Sequence, residues 1–176
     1  VTCAYIHDIG KMFIPSEILQ KPSVLTDKEF EIMKTHTTLG YQLCLKDKAL
    51  RPYYAGPYYH HEALDGTGYP QGLTKKDIPY EAQIIRVADE FDAIVSKRQY
   101  KSHINISDAL KIIISNTQPS PNAPIGTGYT TAGKNNKLVV KKLIKVVIDD
   151  TEYEIACTMN YVKYLKQEID RHKKIS

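Results

Sequence analysis

The sequence predicts an all-α fold. Three observations carry that reading. From Tyr80 to Ser96, Ala82, Ile84, Ile85, Val87, Ala88, Phe91 and Ile94-Val95 fall on the period of an inward-facing helix stripe. Thr26-Asp27-Lys28-Glu29 has the form of a capping box, which opens helices. Lys137, Lys141 and Lys145 recur every four residues and so share one helical face. With 176 residues, the chain makes one domain, or one domain plus an appendage, and can bury a core without staples.

Composition narrows the class further. No apolar run approaches the ~20 residues that span a bilayer, and no basic-then-apolar leader opens the chain, so a cytoplasmic protein is expected. Cys3, Cys44 and Cys157 are far apart and lack CxxC spacing, which argues against disulfides and against a cysteine zinc site. The net charge of +4 is unevenly placed: residues 1–132 hold 14 Lys+Arg against 14 Asp+Glu, and residues 133–176 hold 10 against 6. A basic field therefore does not explain what the first part binds; an anionic substrate would need bound metal and a few placed cations.

In chain order, residues 1–9 read as the last turns of an apolar helix that breaks at Gly10, with His7-Asp8 at its end and Lys11 just beyond. At a helix end both side chains can reach one metal cluster, and a cap with a surface histidine is the plainer alternative. Pro15 to Leu19 is a short helical turn, and Lys21-Pro22-Ser23 a loop. The capping box opens a helix expected from Asp27 to about Leu45, with Phe30, Met33, Leu39, Leu43 and Cys44 on its apolar side. His36 lies beside that stripe, as a satisfied core histidine or as a ligand.

Residues 50–62 are expected to form a helix carrying His60 and His61 near its end. The loop from Asp65 to Leu73 contains Gly66, Gly68, Pro70 and Gly72, so its backbone can turn tightly and approach a ligand. In the helix over 80–96, Asp89 and Asp92 fall among apolar positions, where a carboxylate needs a cation, a helix terminus or a metal. Arg98, Tyr100 and Lys101 follow as a small cationic cluster, which can equally be solvated surface. A short helix over Ser107–Ser115 is expected, then a flexible loop or linker over 116–136, rich in Pro, Gly, Ser, Thr and Asn. Residues 137–176 read as a helix to Ile148, a turn at Asp149-Asp150, a short strand over Tyr153–Cys157 and a polar helix from Asn160 to Lys174. Its basic run is read as a solvated face, so no polymeric nucleic acid is expected.

Taken together, His7, Asp8, His36, His60, His61 and Asp89 are four imidazoles and two carboxylates spread over helix ends and faces. That mix suits two adjacent divalent ions such as iron, manganese, zinc or nickel, and suits calcium poorly.

These residues carry a family resemblance. His7-Asp8-Ile9-Gly10-Lys11, His36, His60-His61-Glu62, Asp65-Gly66-Thr67-Gly68-Tyr69-Pro70 and Val87-Ala88-Asp89-Glu90-Phe91-Asp92-Ala93 occur in the order that characterises the HD-GYP family. Its members are bacterial phosphodiesterases of the HD superfamily that hydrolyse cyclic di-GMP. The resemblance covers residues 4 to about 115 and implies an HD-superfamily helical bundle with two or three divalent ions, iron or manganese first among them. By residue, it implies that His7, Asp8 and Asp89 hold one ion and that Asp8, bridging, holds the second with His36, His60 and His61. Lys11 matches the lysine that contacts the scissile phosphate, Arg98 and Lys101 the cations that hold substrate phosphates, and Tyr69 lies in the namesake loop beside the pocket. Asp92 would orient a group or relay a proton. The implied reaction is attack of a metal-bridging hydroxide on phosphorus, giving linear pGpG and then GMP.

The resemblance also frames the expected partners: the cyclic dinucleotide, a protein docking at the Gly-Tyr-Pro loop and a second copy in a homodimer. It has two departures. The family's first metal helix belongs upstream of residue 1, so the half of the centre built by His7, Asp8 and Asp89 is expected to lack a ligand. The closing Phe-Asp-Pro is replaced by a polar loop after Gly126-Thr127-Gly128-Tyr129, so no function is transferred beyond residue 115. A module that binds without hydrolysis, or an HD phosphohydrolase acting on another nucleotide, are the alternative readings.

Overall fold

In the computed structural model, residues 1–96, 105–119 and 133–175 are described, and those residues are helical apart from turns, loops and one isolated bridge. The elements are α1 (Thr2–Tyr5), a 3₁₀ turn (Ile9–Phe13), α2 (Ser16–Leu19), α3 (Asp27–Lys34), α4 (His36–Lys46), a second 3₁₀ turn (Arg51–Tyr53), α5 (Ala55–Tyr59), α6 (Tyr80–Ser96), α7 (Ile106–Ser115) and α8 (Lys137–Ile175). The all-α expectation holds. Two compact units divide the chain, residues 1–140 and 141–176.

Within the first unit, the capping box forms as expected. Glu29 N donates to Thr26 Oγ1, and Thr26 N donates to Glu29 Oε2 at 2.7 Å. The helix it opens ends at Lys34 instead of running to Leu45, and a new helix starts at His36. Side-chain competition explains the break. Thr35, His36, Thr37 and Thr38 each turn a side-chain hydrogen bond onto the carbonyl three residues back, at Ile32, Met33, Lys34 and Thr35. Such local bonds offer the backbone an alternative to the helical ladder.

The expected helix over 50–62 is likewise shorter, reduced to a 3₁₀ turn and the five-residue α5. α6 spans the expected residues, but Ile84, Ala88 and Asp92, one turn apart, form an exposed column, so none of these three is inward. Leu64, Ile78 and Ala82 build one core cluster, with Tyr59 and Leu73 against it. Ala109, Ile113, Val139 and Val140 are also buried.

The second unit lies within α8. The helix runs unbroken through Asp149-Asp150 and Tyr153–Cys157, which corrects the expected turn and strand. Acidic residues on an exposed helix cost only tenths of a kcal/mol each relative to alanine, too little to stop one. Residues 148–167 are exposed along this helix.

Candidate metal centre

Three histidines are oriented in the same way. His7 Nδ1 lies 2.6 Å from Ala4 O, His36 Nδ1 2.7 Å from Met33 O and His60 Nδ1 2.8 Å from Gly56 O. A carbonyl only accepts, so each Nδ1 carries the hydrogen, and in a neutral ring Nε2 is left with its lone pair free. Each acceptor sits three or four residues upstream, so the backbone just before each histidine sets its tautomer.

Those Nε2 atoms converge on Asp8. His36 Nε2 lies 3.4 Å and His60 Nε2 3.7 Å from Asp8 Oδ1, and the two nitrogens are 3.4 Å apart. Asp8 Oδ1 is buried and has no hydrogen-bond partner. Neutral imidazoles that present lone pairs to a carboxylate oxygen repel unless a cation stands among them. Ligand atoms about 2.1 Å from a tetrahedral ion are themselves about 3.4 Å apart, so the observed spacing fits one. His61 completes the group, in which one ligand atom from each of Asp8, His36, His60 and His61 lies within 4.8 Å of the others.

The other oxygen of Asp8 faces a second set. Asp8 Oδ2 is 3.2 Å from His7 Nε2 and 2.5 Å from Lys11 Nζ, and His7 Nε2 is 3.7 Å from Asp89 Oδ1. One carboxylate thus joins two clusters, as a bridging ligand must.

The electrostatics divide along the same line. The carboxylates of Asp8 and then Asp89 beside its ring raise the pKa of His7 to about 10, against the cost of burial. Burial raises the pKa of Asp8, but hydrogen bonds from His7 and Lys11 outweigh it and hold the carboxyl below its usual range. Asp89 is lowered, chiefly by His7. On the other side burial dominates: it lowers His60 to about 4, with His7 and His36 adding repulsion, and it lowers His36 and His61 as well. All three rings are thus held toward the neutral form, the form that can ligate an ion.

Packing between backbones places Asp8 and His36 together. A Cβ on Gly10 would come within 1.9 Å of His36 O and 2.6 Å of Gly40 N, so only glycine lets the 3₁₀ turn after Asp8 lie against α4. Gly68 has the same role in the loop: a Cβ there would meet Ala63 N at 2.2 Å and His61 O at 2.5 Å. The Tyr69 ring accordingly stacks on His61, with centroids 4.7 Å apart and planes at 29°. Burial, and next the nearby Asp89 charge, push its hydroxyl above the usual tyrosine range. The Tyr69–Pro70 peptide is cis.

The remaining expected residues are placed differently. Asp92 is exposed and accepts from Ser96 Oγ at 3.2 Å, facing away with the Ile84 column. Arg98 and Lys101 lie outside the described residues, as do Tyr100 and Gly126–Tyr129. Sequence reasoning quoted Glu62 in the motif but gave it no role; it is 1% exposed and accepts from Gln71 N at 2.7 Å and Leu73 N at 2.8 Å, holding the loop back against the end of the His60-His61 segment. A glutamate between two histidines and a glycine-rich loop was the available signal. Sequence reasoning missed Arg86, whose Nη1 donates to His61 O at 3.2 Å.

The HD domain family matches residues 1–119. A cyclic di-GMP phosphodiesterase of Thermotoga maritima is 46% identical over 114 residues, covering 64% of this chain and 31% of that protein. A cyclic di-GMP phosphodiesterase response regulator of Xanthomonas campestris pv. campestris is 44% identical over 110 residues, 61% of this chain and 29% of its own length. A 3'3'-cGAMP-specific phosphodiesterase of Vibrio cholerae is 36% identical over 113 residues, 64% of this chain and 25% of its own. The matched region is thus under a third of each relative. With two thirds of its length matched, the chain belongs to the HD domain family.

Proposed function

We propose that this chain is the hydrolytic part of a metal-dependent phosphodiesterase that opens cyclic di-GMP to linear pGpG, and on to GMP. The observation that carries the reading is the convergence of His36 and His60 Nε2 on the unpartnered Asp8 Oδ1. The names of the relatives supply the substrate class.

Asp8, His36, His60 and His61 would hold one divalent ion, and His7, Asp8 and Asp89 a second, with iron or manganese first among the candidates for these nitrogen and oxygen donors. Such ions supply Lewis-acid activation of water and of the phosphoryl oxygens. Lys11, whose side chain is 37% exposed beside Asp8, brings a cation to the mouth of the site, where charge builds on the non-bridging oxygens. Tyr69, exposed enough to carry Lys34 Nζ 5.7 Å from its ring centre, walls the substrate on the His61 side. Arg98 and Lys101 are assigned to the substrate phosphates, and all substrate-facing groups to residues 1–115. We further assign a cytoplasmic signalling role, a protein partner at the Gly68-Tyr69-Pro70 loop and a homodimeric state. No helix among the described residues is long and apolar enough to cross a membrane.

The test is turnover by Mn²⁺- or Fe²⁺-loaded protein beside His60→Ala and Asp8→Ala. The parent is expected to release pGpG, and both variants to lose at least a hundredfold in kcat with lowered metal content. Equal turnover in all three would sink the assignment. Because two relatives are named for 3'3'-cGAMP, that dinucleotide is the competing substrate. A larger kcat/KM for it would move the specificity without moving the chemistry.

A further inference from the structure

Residues 116–136 read as linker in the sequence, yet both ends of that stretch reach the helix that carries Asp89. Asn135 is 2% exposed. Its Oδ1 accepts from Arg86 Nε at 3.1 Å and its Nδ2 donates to Glu90 Oε2 at 2.7 Å. Asn116 Nδ2 donates to the other oxygen, Glu90 Oε1, at 2.5 Å, and Asn135 N donates to Asn116 O at 2.9 Å. Arg86 then reaches out of this network: its Nη1 donates to His61 O at 3.2 Å, the same carbonyl that accepts from Tyr69 N at 3.2 Å.

The chemistry of the link is specific. A carboxamide is the small side chain that presents an acceptor to a guanidinium and a donor to a carboxylate at once. Arg86 and Glu90 are half-buried against the buried Asn135, so a half-satisfied network would leave one of their charges poorly paired. Arg86 thereby ties α6 to His61, just past the end of α5, and Asn135 holds Arg86 and Glu90, the two residues of α6 that flank the turn carrying Asp89.

We propose that Asn135 is a positioning residue for the metal centre, acting through Arg86 on His61 and, by holding Arg86 and Glu90 together, on the turn of α6 that carries Asp89. The proposal rests on His61 and Asp89 being metal ligands, as assigned above. Groups that orient ligands from behind typically change metal affinity 10–100-fold when lost.

A charge-swap series tests it. Asn135→Asp sets a carboxylate oxygen against Glu90. The double variant Asn135→Asp/Glu90→Gln restores a donor there, while the oxygen of the introduced amide still accepts from Asn116. Mn²⁺ affinity is measured by titration of the metal-free full chain, together with its melting temperature and with kcat and KM for cyclic di-GMP. The single variant is expected to bind Mn²⁺ about 10–100-fold more weakly and to lose kcat with KM near the parent value, and the double variant to recover most of both. Arg86→Lys, which keeps the cation and loses the fork, is expected to weaken Mn²⁺ binding as well. Parent-like Mn²⁺ affinity in folded Asn135→Asp or Arg86→Lys overturns the proposal, as does a folded double variant that binds no better than the single. A parent that binds no Mn²⁺ overturns the metal reading itself, a result distinguishable from these.

Discussion

His7 is the residue in the centre whose charge state must change for an ion to bind beside it. Asp8 and Asp89 hold its imidazolium with a pKa of about 10, whereas in an unfolded chain it titrates near 6.5. A pKa raised by folding stabilises the protein fully below about pH 6.5, and that contribution is lost as pH rises through 10. The melting temperature of metal-free parent is therefore expected to fall between those limits by a component missing from His7→Ala. Superimposable pH profiles of the two proteins would falsify the ion pair. The same proton must leave when Nε2 turns to a metal, so full loading with Mn²⁺ at pH 8 is expected to release about one proton. Calorimetry in two buffers of different ionisation enthalpy measures that release, and His7→Ala should not show it. His60 behaves oppositely: burial lowers it to about 4, so its contribution is present above pH 6.5 and is lost as pH falls through 4.

Among the elements, the contact between the Ile9–Phe13 turn and α4 governs the centre, because it brings Asp8 to His36. Gly10→Ala places a methyl group 1.9 Å from His36 O, and backbone on both sides leaves no flexible end to yield. The substitution is expected to cost about 3 kcal/mol in urea unfolding, at the upper end of overpacking, and to weaken Mn²⁺ binding. A variant with parental stability and affinity would show that the close approach is dispensable. This element also shows what the sequence disclosed and what it withheld. Local signals were legible: the Thr26 capping box, the α6 period, and the motif order that grouped His7, Asp8, His36, His60 and His61. The break at Thr35 was not, because three threonines and a histidine had to be seen to take four successive carbonyls. Asp92 was misplaced because apolar neighbours in the sequence do not say which column of α6 faces out. Asn135 and Arg86 meet across 49 positions, and no local pattern encodes such a pair.

For the molecule as a whole, the centre is a point where separate elements meet and where a bound cation would join them. Asp8 comes from the start of the 3₁₀ turn, His36 from α4, His60 and His61 from the end of α5 and Asp89 from α6. Two imidazole lone pairs and an unpartnered carboxylate oxygen oppose one another in the metal-free fold, so an ion bound among them would couple metal binding to folding. An ion that binds only the folded chain adds about 2.7 kcal/mol at a hundred times its Kd. For a domain of this size that raises the melting temperature by about 5–10 °C. Mn²⁺ is expected to produce such a rise and a chelator to reverse it. Ca²⁺ at the same concentration is expected to give little, since imidazole nitrogens are poor ligands for it. In His60→Ala the Mn²⁺ response should shrink to less than half. A melting temperature indifferent to Mn²⁺ would mean that the opposed groups are satisfied without a cation, and the centre would then be a hydrogen-bonded core cluster.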